Sequence, residues 1–429
     1  MDIMNFLNQQ KVLSLLNRNL KKSNKDLQKL QVKKTKAIIE HAYKHTLYYK
    51  ELFKDADVDP TDIKCLGDLE KIPITSKNQL RTANKDIIAS NIDLKQCNKH
   101  QTSGSTGKPL IIYFTPGDDS YAFASYERAR MMNGFHPIRD KFVNITTTSR
   151  RGYDKWSYKC GIYRRDAISI FDSIESQIKA LSTIKPDVVW GYPSAINIIA
   201  TEIAKNNINS ITPRTIFTAS ELLDSTVRDN IESIFNTSVV DIYGSHETGC
   251  MAWECPEYEG YHTNMDTQVI EIVDKNGEPV DAGERGRVVV TNFHSLAMPI
   301  IRYEIGDYAV PTYEECSCGH AGYLIEKIEG RYDDHLLLPG DKLVSPLTIW
   351  SMMRYVEGVL EFQVVQESRD RLVVYLVVDE SWSIDEITQS IQDIYKQHFG
   401  NEVNVLVKIV PQIERSNSGK LRSVISRTL

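Results

Sequence analysis

Hydrophobic positions near the start of the chain recur every three or four residues. Leu27, Leu30, Ile38, Ile39 and Ala42 follow this spacing, and residues 1 to about 60 read as helical. Pro60 and Pro73 punctuate the connection that follows. From about 100 to 310 the pattern changes. Short runs rich in β-branched and aromatic residues, LIIYF, FVNIT, DVVWG, TIFTA and SVVDIYG, alternate with helical patterns such as 194–205 and 225–235. Strand–helix alternation of this kind predicts α/β layers with a parallel sheet. RGRVVVTNF and its neighbours predict further strands, with Asn276-Gly277 as a hairpin signal. After 333 come a helix at 347–356, the strands FQVVQ and RLVVYLVV, a helix at 384–399 and a strand at 403–410. That segment is long enough to fold as a small unit of its own. The expected fold is α/β: a large N-terminal domain over 1–332 and a small α+β C-terminal domain over 333–429.

Composition narrows the function classes. The 429 residues are 41% hydrophobic and 25% charged, the balance of a soluble globular protein, and the net charge of −6 gives no support to a nucleic-acid binder. No apolar run reaches the length of about 18 residues that membrane insertion needs. MDIMNFLNQQ lacks the basic and apolar regions of a secretory signal, so a cytoplasmic protein is expected. Seven cysteines scattered over a long chain do not suggest a disulfide framework.

The stretch QTSGSTGKPL has the chemistry of a phosphate cradle. Gly104 and Gly107 let backbone amides approach an anion, Thr102, Ser103, Ser105 and Thr106 offer hydroxyls, and Lys108 adds a charge. It is not a Walker loop. That motif needs glycine five residues before the Gly-Lys pair and Ser or Thr after the lysine, where this chain has Thr102 and Pro109. A Walker loop also opens a helix, whereas LIIYF follows here with a strand pattern.

Four further segments accompany the loop in order: DIYGSHETG at 241–249, IIRYEIGDYA at 300–309, EGRYDDHLLLPG at 329–340 and SNSGKLR at 416–422. Together the five resemble the motifs of adenylate-forming enzymes, the superfamily of acyl-CoA synthetases, luciferases and peptide-synthetase adenylation domains. The resemblance is closest to the phenylacetate–CoA ligase family and covers nearly the whole chain, including YYKELFKDADVDPTDIKCLGDLEKIPITSKNQLR at 48–81. It implies a large α/β domain with a mobile C-terminal domain, and activation of a carboxylic acid by ATP with loss of pyrophosphate.

Site roles follow from the resemblance. Residues 102–108 would hold the β- and γ-phosphates, and Glu247 would bind Mg²⁺. Tyr243 would stack near the adenine, with Gly244 leaving room and Ser245 in the same segment. Asp307 would accept from the ribose hydroxyls, a task suited to a carboxylate. Arg331 would reach the ribose or phosphate, and Asp333 falls at the hinge. Ser220 and Glu221 sit where relatives line the adenine and the acyl carbonyl. Lys420 would bridge carboxylate and α-phosphate in the adenylation transition state.

Cys255, His262, Cys316, Cys318 and His320 supply a Cys₃His set, with either histidine as the fourth ligand. Some members of the resembled branch carry zinc at matching positions, which implies a structural Zn²⁺. HLLLPGDKLVSPLT departs from the Arg-Gly-Val-Asn-Val-Phe-Pro continuation of aryl-CoA ligases and looks more like the branch associated with capsular polysaccharide clusters. The acceptor therefore stays open between CoA, an amine and a sugar hydroxyl. Arg150, Arg151, Trp156, Arg164 and Arg165 suggest a polar or multiply charged acid. Two alternatives remain open, an adenylyltransferase that stops at the adenylylated product and a zinc-stabilised nucleotide-binding module without turnover. The oligomeric state is open between monomer and homodimer.

Overall fold

The computed structural model describes residues 3–101, 110–147, 160–353, 356–379, 381–416 and 419–428, with the backbone alone described for Gln101 and Asp333. Three helices open the chain: α1 (Ile3–Asn19), α2 (Asn24–His45) and α3 (Leu47–Asp55). Side-chain caps set the starts of the second and third. Ser23 accepts from the Asp26 N–H, and Thr46 accepts from the Tyr49 N–H. The buried face of α2, Leu27, Gln31, Thr35, Ile38, Ile39 and Ala42, keeps the helical period read from the sequence. Ser76 and Gln79 form a capping box at the start of α4 (Lys77–Ala83).

One sheet of eleven strands organises the N-terminal part. Its parallel half holds β3 (Phe142–Thr146), β4 (Arg165–Ser169), β5 (Val188–Gly191), β6 (Thr215–Ala219) and β7 (Val239–Ser245). Its antiparallel half continues through β8 (Gly249–Glu254), β9 (Tyr261–Thr263), β10 (Gln268–Val273), β11 (Gly286–Asn292), β12 (Tyr303–Thr312) and β13 (Leu324–Arg331). All five residues of β6 are buried, as expected for a parallel strand covered on both faces. The crossover helix Pro193–Lys205 packs Ile196, Ile199 and Ile203 on this half, and Ser225–Phe235 packs Val227, Ile231 and Phe235.

The strand LIIYF lies where the sequence puts it. β1 (Asn98–Gln101) and β2 (Ile111–Phe114) pair antiparallel with Gln101 opposite Ile111, flanking the Gly/Ser/Thr loop. A strand on each side is the context a Walker loop lacks. The Asn276-Gly277 expectation needs correcting in one respect. The turn exists, with the Asp274 carboxylate accepting from the Asn276 and Glu278 N–H groups, but it sits inside a longer connection between β10 and β11. An aspartate ahead of the dipeptide organises the loop, so the dipeptide alone does not fix the hairpin length.

From Leu336 onward the chain builds a separate sheet with its own core. β14 (Val359–Ser368) and β15 (Arg371–Val378) pair antiparallel, and β16 (Asn404–Ile409) and β17 (Val424–Ser426) add parallel at the two edges. The helix Ile384–Phe399 covers it with Ile387, Ile391 and Tyr395, capped by Ser383. No helix among the described residues is long and apolar enough to cross a membrane.

Candidate active site

The parallel strands β5, β6 and β7 end at Gly191, Ala219 and Ser245, and the residues just beyond them line a cavity of about 860 Å³. Ligands of open α/β sheets bind at this end of the strands. Ser220 and Glu221, then Tyr243, Gly244, Ser245 and Glu247, line it from β6 and β7, while Asp307 and Arg331 reach it from β12 and β13. Arg415, Ser416 and Lys420 enter from the C-terminal unit, so both parts of the chain form the wall.

Asp307 and Arg331 are register partners on neighbouring strands, with Nε 3.8 Å from Oδ1. The Tyr243 hydroxyl donates to Asp307 Oδ2 at 2.7 Å. Gly306 has φ of +89°, and a Cβ there would stand 2.8 Å from Arg331 Nη2. The positive φ favours glycine here, and any side chain would also displace the guanidinium. At Gly244 a Cβ would meet the Gly249 carbonyl at 2.7 Å and press on the Tyr126 hydroxyl.

Glu247 is only 5% exposed, which excludes a solvated surface carboxylate. Lys77 Nζ lies 3.2 Å from its Oε1, and the Tyr303 hydroxyl donates to the same oxygen at 3.3 Å. Burial pushes the Glu247 carboxyl up, but Lys77 and Arg331 outweigh it and hold the group below the ordinary range. Lys77 is a site residue that the sequence did not disclose. The only local signal was the capping box at the start of α4, and nothing in it points to a glutamate in the turn after β7.

Lys420 lines the cavity from a loop tied by the Ser416 hydroxyl, which accepts the Lys420 N–H at 3.1 Å. Burial pushes its ammonium below the usual lysine range, opposed by the charges of Glu221, Asp307 and Glu247. Glu221 holds this loop directly. One of its oxygens accepts the Leu421 N–H at 2.7 Å and the other accepts the Ser194 N–H at 3.2 Å. Ser220, just before it, adopts φ of +74°. Arg415 completes the seam, donating to Ser194 Oγ at 2.9 Å and to Glu361 at 3.0 Å.

Several expected residues lie elsewhere. Thr102, Ser103, Gly104, Ser105, Thr106, Gly107 and Lys108 lie outside the described residues, as do Arg150, Arg151 and Trp156 and the side chain of Asp333. The backbone of Asp333 falls in the short turn Tyr332–Asp334 after β13. Arg164 does not face the cavity; it donates to the carbonyls of Ile138 and Arg139. Arg165, the next residue, pairs with buried Glu127. Consecutive side chains entering a strand diverge to opposite sides, which separates the two arginines.

Away from the cavity, Cys255, His262, Cys316 and Cys318 converge, their ligand atoms all within 4.8 Å of one another. Cys255 Sγ and Cys316 Sγ are 3.5 Å apart, close to the edge of about 3.8 Å for two thiolates on a tetrahedral Zn²⁺. His262 Nε2 points at Cys318 Sγ, 3.3 Å away, whereas His320 meets that sulfur through its backbone N–H. His262 is thus the histidine of the convergent set. The four donors suit Zn²⁺ in number, kind and spacing.

Residues 336–427 match the CapK C-terminal domain family. Protein CapK of Staphylococcus aureus is 28% identical over 94% of this chain and 89% of its own length. A phenylacetate-coenzyme A ligase of Thermus thermophilus is 25% identical, covering 93% of this chain and 96% of that protein. Homologues of this chain include CapK and phenylacetate-coenzyme A ligases. An indoleacetate–lysine synthetase of Pseudomonas savastanoi is a more distant relative, 22% identical over 83% of this chain and 90% of its own. Among solved structures, 2-hydroxyisobutyryl-CoA ligase in the postadenylation state with 2-HIB-AMP superposes with a TM-score of 0.77 at 20% identity, covering 93% of this chain and 89% of that one. The same ligase in the thioesterification state gives 0.63 with the same coverage of each chain. The fold is that of adenylate-forming CoA ligases, and of these two arrangements the CapK-like chain is nearer the former.

Proposed function

We propose that this CapK homologue is an AMP-forming ligase that activates a carboxylic acid with ATP as an acyl-adenylate and then passes the acyl group to an acceptor. One observation carries this reading. Lys420 projects from the C-terminal unit into the same cavity as the Asp307–Arg331–Tyr243 group and Glu247. In the first step a carboxylate oxygen bonds to the α-phosphorus of ATP and the bond to the pyrophosphate oxygen breaks. Two anions must meet, so a cation between them stabilises the transition state. Lys420 fills that role. Asp307 and Tyr243 receive the ribose and adenine, Arg331 stands beside the phosphates, and residues 102–108 hold the departing pyrophosphate. Mg²⁺, when bound, shields the phosphate charge. Glu247 would hold it, and Lys77 neutralises that carboxylate in the metal's absence.

In the second step the acceptor attacks the acyl carbon, AMP leaves, and the proton of the attacking group passes to solvent. CoA and amine acceptors both remain, since the names of the relatives include a coenzyme A ligase and a lysine synthetase. The seam of Glu221, Leu421, Arg415 and Ser194 is polar, which suits a unit over 333–429 that releases and turns about Asp333 after adenylation. Incubation with ATP, the acid and hydroxylamine should yield AMP and acyl hydroxamate in equal amounts. ADP as product, or AMP without hydroxamate, overturns the proposal.

The Cys255–His262–Cys316–Cys318 set would hold one structural Zn²⁺, the four protein donors supplying a full tetrahedral set. The purified protein should contain one zinc per chain by elemental analysis. Cys316→Ser should lose the metal and lower the unfolding midpoint by several degrees. Metal-free wild type whose stability ignores a chelator contradicts the assignment.

A further inference from the structure

The wall of the cavity contains a buried cation that the steps above do not use. Arg130, on α5 (Pro116–Met132), is 8% exposed and lines the cavity beside Tyr126 and Trp190. Its guanidinium carbon sits 4.1 Å from the centre of the Trp190 ring, 5.4 Å from that of Phe142 and 5.6 Å from that of Tyr126. Three aromatic rings thus surround the group, and water is largely excluded from it.

Charge accounting makes this arginine unusual. The other lining cations have carboxylate partners: Lys77 has Glu247, Arg331 has Asp307, Arg415 has Glu361 and Arg422 has Asp334. Lys420 is assigned to the adenylation step. Arg130 pairs with Glu127, which is fully buried and pairs with Arg165 through the same oxygen, Oε1. Two guanidinium groups therefore share one carboxylate. Arg130 Nε, Arg165 Nε and Glu127 Oε2 have no hydrogen-bond partner among the described residues. Among the described residues this is a largely buried cluster with one excess positive charge and idle donors, which is costly unless an anion completes it.

Granting the acyl-adenylate chemistry proposed above, on which this rests, we propose that the acid this site activates carries a second anionic group, a carboxylate, sulfonate or phosphate, received by Arg130. Arginine suits the task because its fork presents parallel donors to a planar anion, and its stacking on Trp190 fixes the plane of that fork. Glu127 and Arg165 position it. The apolar wall of Val227, Pro193 and Ala122 accommodates the carbon skeleton between the two charges.

The test measures pyrophosphate exchange with size-matched acids: glutarate against valerate, and 4-carboxyphenylacetate against 4-methylphenylacetate. The anionic tail should raise kcat/KM by about 10- to 100-fold, the value of a charge-assisted hydrogen bond in a site closed to water. Arg130→Met should erase or invert that preference while leaving the ATP-induced shift of the unfolding midpoint unchanged. Arg165→Gln should weaken the preference as well, because Glu127 then neutralises Arg130 alone; this exchange at a less buried position guards against a misfolded Arg130 variant. Equal or better exchange with neutral-tailed acids in the wild type overturns this inference and leaves acid activation standing. Failure of every acid, charged or neutral, overturns the acyl-adenylate reading itself.

Discussion

Replacing Lys420 with alanine should lower acid-dependent pyrophosphate exchange by about 100- to 1,000-fold, the range for removing one preorganised charge partner of a transition state. ATP affinity should stay within a few-fold of the wild type. The two effects separate because different groups carry them. In the proposed reading Asp307, Tyr243 and Arg331 receive the nucleoside, and they are tied to one another by the Tyr243–Asp307 hydrogen bond and the Arg331–Asp307 ion pair. Lys420 instead enters from the C-terminal unit, in a loop held by Glu221 through the Leu421 N–H. Burial pushes its ammonium down, opposed by the charges of Glu221, Asp307 and Glu247, and in the partly desolvated cavity its charge acts more strongly on an anion brought alongside than it would in water. An interaction gained only as the two anions meet lowers kcat without changing ground-state binding. Exchange near wild-type rates in Lys420→Ala, or loss of ATP binding equal to the loss of exchange, contradicts the assignment.

The largest effect on stability is expected at Arg128, away from the cavity. Arg128 and Asp266 are each 2% exposed and form two hydrogen bonds of 2.8 Å. Arg128 also donates to the Leu16 carbonyl at 3.1 Å and to Asn264 at 2.6 Å, while Asn19 donates to Asp266 at 2.9 Å. This knot fastens α1 and α5 to the sheet. Arg128→Ala should reduce the unfolding free energy by about 3–5 kcal/mol, because it strands a buried carboxylate. Adding Asp266→Leu should recover part of the loss, and a double-mutant cycle in urea measures the coupling. Burial raises the Asp266 carboxyl, but Arg128, Asn19 and Lys34 outweigh it and hold it below the ordinary value. A depressed carboxyl contributes stability that is fully present above the unfolded pKa of about 4 and is lost as pH falls through the folded pKa. In Arg128→Ala the acid-side loss should begin nearer neutrality, since the carboxyl no longer faces a guanidinium. A variant as stable as wild type across that range would contradict the account of the knot.

Much of the scaffold was legible in the chain. The helix Ile384–Phe399 and the strands Phe142–Thr146 and Thr215–Ala219 carry their own periodicity or burial pattern, so local sequence suffices to mark them. Resemblance to the adenylate-forming motifs likewise named Asp307, Arg331, Tyr243, Glu247 and Lys420, and these residues line one cavity. Contacts between distant segments were not legible. Lys77 reaches Glu247, Glu221 grips the Leu421 N–H, and Arg130 shares Glu127 with Arg165. No periodicity encodes such pairs, because the fold alone brings the partners together. The basic run at 146–165 pointed toward a charged acid, but Arg164 faces the surface, and Arg130, which occupies the cavity wall, sits in a helix whose pattern reads as ordinary packing.

The most direct measurement of acid activation is the exchange of labelled pyrophosphate into ATP, with and without a carboxylic acid. Label should enter ATP only when acid is present, at a rate that saturates with acid and requires neither CoA nor any other acceptor. Exchange in the absence of acid, or none with any acid from an aromatic, amino and sugar-derived panel, would contradict an acyl-adenylate mechanism.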